Sequence, residues 1–136
     1  MEGWRNTLIG AALEARKSAY APYSDYKVGA ALLAEDGGIY TGCNIENASY
    51  GATNCAERTA FFKAVSEGKR IFKAIAIVGG KEAPEDYAYP CGICRQVMQE
   101  FCKEDFIILT AKTEQDYQEY SLKDLLPHGF GGEKLK

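Results

Sequence analysis

Apolar residues recur at three or four positions from Trp4 to Ala19 (Trp4, Leu8, Ala12, Ala15 and Ala19), the spacing of a helix with one buried face. That helix has to end before Pro22. Val28 to Ala34 is a short, uninterrupted apolar run between the turn signals Ala21-Pro22-Tyr23-Ser24 and Asp36-Gly37-Gly38, and it predicts a central strand. The two glycines supply a hairpin, and Ile39 to Glu46 returns as the next strand.

Asn47 to Thr53 is polar and contains glycine, so it reads as a loop. Helical periodicity resumes from Asn54 to Glu67 in Ala56, Ala60, Phe61, Ala64 and Val65, with Gly68 as the stop. Phe72 to Val78 predicts a buried strand, and Gly79 to Tyr89 a charged loop. Pro90 opens a helix from Cys91 to Cys102. Phe106 to Thr110 predicts a fourth strand and Tyr117 to Tyr120 a weaker edge strand, after which Ser121 caps a short helix running to Leu126. This order predicts an α/β fold: a three-layer α/β/α sandwich around a mixed sheet of about five strands.

At 136 residues with 46% hydrophobic content, the chain is predicted to form one domain, 1–136. A net charge of -3 supplies no basic field for a phosphate backbone, which favours a small-molecule substrate over nucleic acid. No basic amino-terminal region precedes an apolar run, and no apolar stretch is long enough for a membrane span, so the expectation is a cytoplasmic protein without membrane contact. Five cysteines, an odd number, then read as thiols or metal ligands rather than as a disulfide framework.

Cys91-Gly92-Ile93-Cys94 places two thiols three residues apart on the first turn of a helix. Alone, the pair fits structural zinc, a redox dithiol or buried thiols. Cys55 stands at a second predicted helix start, where the helix dipole favours a thiolate. Two helix starts could converge on one ion. Cys102, about 12 Å further along the same helix as Cys94, cannot join them. Cys43 reads as a small buried thiol and His128 as an exposed loop residue. Three thiolates with a fourth position left for water are therefore the preferred set, the count of a catalytic rather than a structural zinc site.

Glu57 lies two residues after Cys55. Spacing alone favours an ordinary first-turn acid that complements the dipole, although a carboxylate beside an activated water is also what hydrolysis needs. Arg58 is a surface residue or a donor to a cysteine sulfur. The second role would offset the charge of about -1 that three thiolates leave on Zn²⁺.

Cys55-Ala56-Glu57-Arg58-Thr59-Ala60 together with Pro90-Cys91-Gly92-Ile93-Cys94-Arg95-Gln96 resembles the signature of the cytidine deaminase family. The likeness extends through Tyr20-Ala21-Pro22-Tyr23-Ser24, Val28 to Leu33, Gly42 to Ala48, Lys63 to Gly68 and Leu125-Leu126-Pro127, nearly the whole chain. The resemblance implies zinc-dependent hydrolytic deamination of cytidine and deoxycytidine in pyrimidine salvage. It implies Cys55, Cys91 and Cys94 as ligands and Glu57 as proton carrier, with Arg58 inside the matched signature. For the nucleoside it implies Asn44 and Glu46 on the ribose, the Ala56 N–H on the pyrimidine carbonyl, Tyr26 packed against the substrate and Phe130 reaching a neighbour's site in a homotetramer. Two positions depart from the family's pattern: Tyr26 stands where phenylalanine is usual, and Ile93 where alanine is usual. The rival readings are a same-fold deaminase of an aminoacylnucleoside antibiotic or of a base in nucleic acid, and a non-catalytic zinc-binding module with a closed four-cysteine site.

Overall fold

The computed structural model describes residues 3–135. Helix α1 (Trp4–Arg16) leads into strands β1 (Lys27–Ala34) and β2 (Ile39–Cys43), followed by α2 (Ala56–Ser66), β3 (Phe72–Gly80), α3 (Gly92–Phe101), β4 (Ile107–Ala111), β5 (Tyr117–Ser121) and the short α4 (Leu122–Leu125). The five strands form one sheet in the order β2-β1-β3-β4-β5. β3 and β4 run parallel, joined by the crossover through α3, and the other neighbours pair antiparallel.

The continuous apolar runs of β1 and β3 are explained by burial on both faces. Ala31, Leu33, Ala74, Ala76, Val78 and Leu109 face α1, where Leu8, Ile9 and Ala12 meet them. Leu32, Ile75, Ile77 and Ile108 face the opposite layer, with Phe61 of α2 and Met98 of α3. The expected three layers and mixed five-stranded sheet are what the chain forms.

Two strand glycines set how closely the layers approach. A Cβ at Gly29 would stand 2.2 Å from the Ala12 carbonyl oxygen of α1, and one at Gly42 would stand 2.5 Å from that of Ala56 in α2. Both helices thus rest on bare strand backbone.

Several boundaries differ by one to three residues from the sequence expectation, those of α1, β2 and β3 among them. α1 ends at Arg16 rather than Ala19, because Tyr20 N–H is drawn to the Asn44 carbonyl (3.0 Å) and Tyr20 in turn accepts from Glu46 N–H (2.8 Å). β2 stops at Cys43 rather than Glu46. Beyond it Ile45 leaves β1 and bridges Tyr20 and Asn54 instead. β3 runs on to Gly80, two residues further than its apolar run. The cap expected for α4 is present: Ser121 Oγ accepts from Asp124 N–H (3.1 Å), and the Asp124 carboxylate accepts from Ser121 N–H (2.9 Å).

Candidate active site

Cys55 is the N-cap of α2 and Cys91 the N-cap of α3, both in extended backbone, so each sulfur sits at the positive end of a helix. Cys91 Sγ accepts from Cys94 N–H, which orients the pair on α3. The fold brings the two helix starts together: Cys55 and Cys91 Sγ are 3.7 Å apart, Cys91 and Cys94 Sγ 3.4 Å, and all three lie within 4.8 Å of one another. These are not disulfide separations, and every cysteine is a free thiol. Tetrahedral zinc with Zn–S bonds of about 2.3 Å needs sulfurs about 3.8 Å apart, so the trio fits that ion with little movement. Cys43 and Cys102 lie outside the cluster, and burial raises both of their thiol pKa values.

Donors around one sulfur explain why the trio is primed for a cation. Hydrogen bonds from Cys94, Arg58 and Cys91 pull the Cys55 thiol down to about 5 against its burial. Cys94 moves the other way: its thiol keeps its proton, donating a hydrogen bond to Cys55, and burial adds to the rise. Arg58 Nη2 lies 3.3 Å from Cys55 Sγ, so the arginine is a sulfur donor rather than a surface residue. Burial opposes its charge, but hydrogen bonds to Cys55 and Cys94 outweigh that and raise its pKa. Its buried Nε has no partner among the described residues.

Glu57, on the first turn of α2, is 4% exposed. Burial pushes its carboxyl up to about 7. An acid that only complemented a helix dipole would face water and stay ionised. This one sits where proton gain and loss are nearly balanced at neutral pH, the property of a general acid–base group.

Beside the sulfurs opens a cleft of about 480 Å³, within the range of small-molecule sites. Tyr26, Asn44, Glu46, Cys55, Ala56, Glu57 and Cys91 all line it, together with Val28 and Ile77 at its apolar side. Asn44 is buried and ties the start of β1: its Oδ1 accepts from Val28 N–H (2.9 Å) and its Nδ2 donates to the Tyr26 carbonyl (2.8 Å). One lone pair and one N–H remain for another partner. The Glu46 carboxylate accepts from Tyr23 N–H (2.9 Å), Ser24 N–H (3.1 Å) and Ser24 hydroxyl, leaving one of about four acceptor positions open. Those donors, the Ser24 hydroxyl first, lower its pKa. Burial chiefly, with Asp86 next, raises the Tyr26 phenol.

Phe130 is not brought into this cleft: its ring is 54% exposed, and its carbonyl accepts from Gln96 Nε2 (2.8 Å) on α3. His128 is exposed in a left-handed turn at φ 60°. Sequence reasoning missed Tyr87 and Tyr89, two cleft-lining aromatics in the segment read as a charged loop. Their alternate spacing directly before Pro90-Cys91 was the available signal.

Three thiols around one point with a buried carboxylate beside them, set in a three-layer sandwich, define a site built for metal-assisted hydrolysis. Comparison with known proteins gives the family. Residues 2–110 match the cytidine and deoxycytidylate deaminase zinc-binding region. The chain is 54% identical over 128 residues to the cytidine deaminase of Sporosarcina psychrophila, covering 94% of this chain and 92% of that protein. It is 51% identical over 131 residues to that of Halalkalibacterium halodurans, covering 96% and 97%. The crystal structure of cytidine deaminase from Burkholderia pseudomallei superposes with a TM-score of 0.83 at 50% identity, over 91% of this chain and 97% of that one. The chain belongs to the cytidine deaminase family and is a deaminating enzyme.

Proposed function

We propose that this single catalytic domain, residues 1–136, removes the amino group of free cytidine and deoxycytidine by hydrolysis, yielding uridine or deoxyuridine and ammonia. One observation carries the reading: Glu57, buried and with its carboxyl held near neutrality, shares a cleft with Cys55 and Cys91 of the thiol trio and with the sugar-suited Asn44 and Glu46.

Cys55, Cys91 and Cys94 would hold Zn²⁺. Bound there, the ion would supply Lewis acidity, lowering the pKa of water toward neutrality. Arg58 withdraws electron density from the Cys55 sulfur by its hydrogen bond. Glu57 accepts the proton of the attacking water, returns it to the pyrimidine ring nitrogen, and delivers the next to the departing amine. Ala56 is the first residue of α2, so its N–H has no acceptor within the helix and is free for the pyrimidine carbonyl. Tyr26 supplies an aromatic wall whose hydroxyl, turned toward Asp86, is the added feature of this chain.

The remaining acceptor position of Glu46 suits a ribose hydroxyl, with Asn44 beside it. Glu46→Ala is expected to keep zinc while kcat/KM for cytidine falls about 10- to 100-fold, the worth of a hydrogen bond to a charged group. An unchanged kcat/KM would remove the sugar contact. No lysine or arginine lines the cleft and Glu46 stands in it, so a phosphorylated sugar meets a carboxylate with nothing to offset it. Ultraviolet absorbance should fall with cytidine and deoxycytidine, and at least about 100-fold more slowly with the monophosphate or a single-stranded oligonucleotide. Preference for the phosphate or the oligonucleotide would overturn the nucleoside assignment.

The assembly we propose is a cytoplasmic homotetramer in which the exposed Phe130 ring completes a neighbour's site. Exposed apolar side chains, Ile71 and Ile93 at 62% and Tyr50 at 83%, supply surface for such packing. No helix among the described residues is long and apolar enough to cross a membrane. Sedimentation of the purified chain tests the tetramer.

A further inference from the structure

The segment 81–90 joins β3 to the start of α3 and presents Tyr87, Ala88 and Tyr89 to the cleft. Its two ends are fixed by arginines. At the start, Arg16 Nη2 donates to the carbonyls of Gly80 (2.7 Å) and Lys81 (3.2 Å). At the finish, Arg95 donates to the Pro90 carbonyl through Nε (2.7 Å) and to the Leu125 carbonyl through Nη1 (2.7 Å). Cys91 therefore has its own anchor, separate from the tyrosines that precede it.

The tyrosines are held by the β4–β5 hairpin. Tyr87 hydroxyl donates to Asp116 Oδ1, and Lys112 Nζ stands 4.4 Å from the centre of the same ring. One turn, 112–116, thus grips Tyr87 at its tip and on its face. Tyr89 hydroxyl donates to Gln118 Oε1 (2.7 Å), which also accepts from Tyr120 hydroxyl (2.9 Å). The rings of Tyr89 and Tyr120 meet edge to face at 5.7 Å. None of Lys112, Asp116, Gln118 or Tyr120 lines the cleft.

We infer that Asp116 and Gln118 are positioning residues for the nucleoside: through Tyr87 and Tyr89 they hold the aromatic wall of the cleft in its binding position before substrate arrives. The inference rests on the deaminase reading above. Loose tyrosines would have to be ordered at every binding event, at about two- to tenfold in affinity for each side chain immobilised. Tethering them to the β4–β5 hairpin removes that cost from binding. Glu57 and the thiol trio stand on α2 and α3, whose placement does not use these hydrogen bonds, so the effect belongs to KM rather than kcat.

The test uses the zinc-loaded full chain and three variants per tether: Asp116→Ala, Tyr87→Phe and their double, then Gln118→Ala, Tyr89→Phe and theirs. Expected are KM values for cytidine raised about three- to tenfold, kcat within about twofold, and unchanged zinc content. The Asp116/Tyr87 double should be no worse than its single variants, because both members remove one hydrogen bond. The Gln118/Tyr89 double should be less than additive, because the pair shares one bond while each partner also meets the Tyr120 hydroxyl (2.9 and 3.2 Å). Asp116→Asn and Gln118→Glu, which keep an acceptor, should restore most of the affinity. Hydrogen exchange of amides 82–89 in the substrate-free, zinc-loaded protein should quicken in both alanine variants. Unchanged KM, additive doubles, or lost zinc and kcat at constant KM would overturn the inference. Should the wild type leave cytidine untouched, the deaminase reading fails by itself. The exchange comparison then still decides the tether, and equal rates in wild type and variants would end it.

Discussion

Glu57→Gln is expected to retain a full complement of zinc while kcat for cytidine falls by at least about a thousandfold, toward the upper end of what a positioned proton carrier contributes. Glutamine has nearly the same volume, so the packing of α2 through Ala60 and Phe61 is preserved and the sulfurs stay in place. What it cannot do is accept a proton from water or return one to a ring nitrogen and an amine. A variant that turns over within tenfold of the wild type would refute the proton-carrier role. The same substitution has an opposite effect on the chelated protein. A carboxyl at about 7 in the folded chain against an ordinary 4.5 binds more protons folded than unfolded, so its contribution to stability declines as pH rises through that interval. With metal removed, Glu57→Gln should therefore unfold at higher denaturant than wild type above pH 7, by roughly 2–4 kcal/mol, and show no such gain below pH 4. Absence of a pH-dependent difference would mean the carboxyl is not held in an apolar setting.

Loss of a ligand should be as severe as loss of the carboxylate, and for a separable reason. Cys94 is 1% exposed, the most buried of the three, and its Sγ lies 3.4 Å from that of Cys91. Cys94→Ala leaves two sulfurs, and two ligands hold zinc far more weakly than three. The expected outcome is a fall in bound zinc from one per chain to under about 0.1, with turnover lost on the order of a thousandfold and not recovered by added zinc near neutral pH. Cys43→Ala and Cys102→Ala should keep both zinc and activity, since neither sulfur belongs to the cluster. That contrast separates an open three-thiolate site from the closed four-cysteine alternative. Cobalt-substituted protein would show the difference directly, and a four-thiolate spectrum that loses one ligand in either of those two variants would decide for the closed site.

Much of this arrangement was legible because its cause is local. The apolar runs of β1 and β3, the Ser121 cap and the Gly68 stop each act over a few residues, and the chain folds there as its pattern implies. The thiol trio is non-local but still legible, since each helix start independently makes its cysteine a good ligand. Alternation along a strand running to Glu46 puts Asn44 and Glu46 on one face; both do line the cleft, yet β2 has ended before them. Local alternation could not reveal that Ile45 would exchange β1 for Tyr20 and Asn54. Tyr87 and Tyr89 were hidden for the same kind of reason. Lys81, Glu82, Glu85 and Asp86 give their segment the look of a solvated loop, and the acceptors that hold the two rings are Asp116 and Gln118, about thirty residues onward. Glu57 looked like a dipole-matching acid until the structure showed it buried.

The bare backbone at Gly42 bears on how the core of this chain can change. Because α2 sits on the strand's main chain with no side chain interposed, the height of Cys55 above the sheet is set by peptide geometry, which does not vary with sequence. Volume changes among the aliphatic residues of the sheet can then be absorbed sideways, by Phe61 and its neighbours, without lifting the sulfur away from Cys91 and Cys94. A methyl group at position 42 would turn that fixed height into a variable one, and every later drift in core packing would reach the metal site.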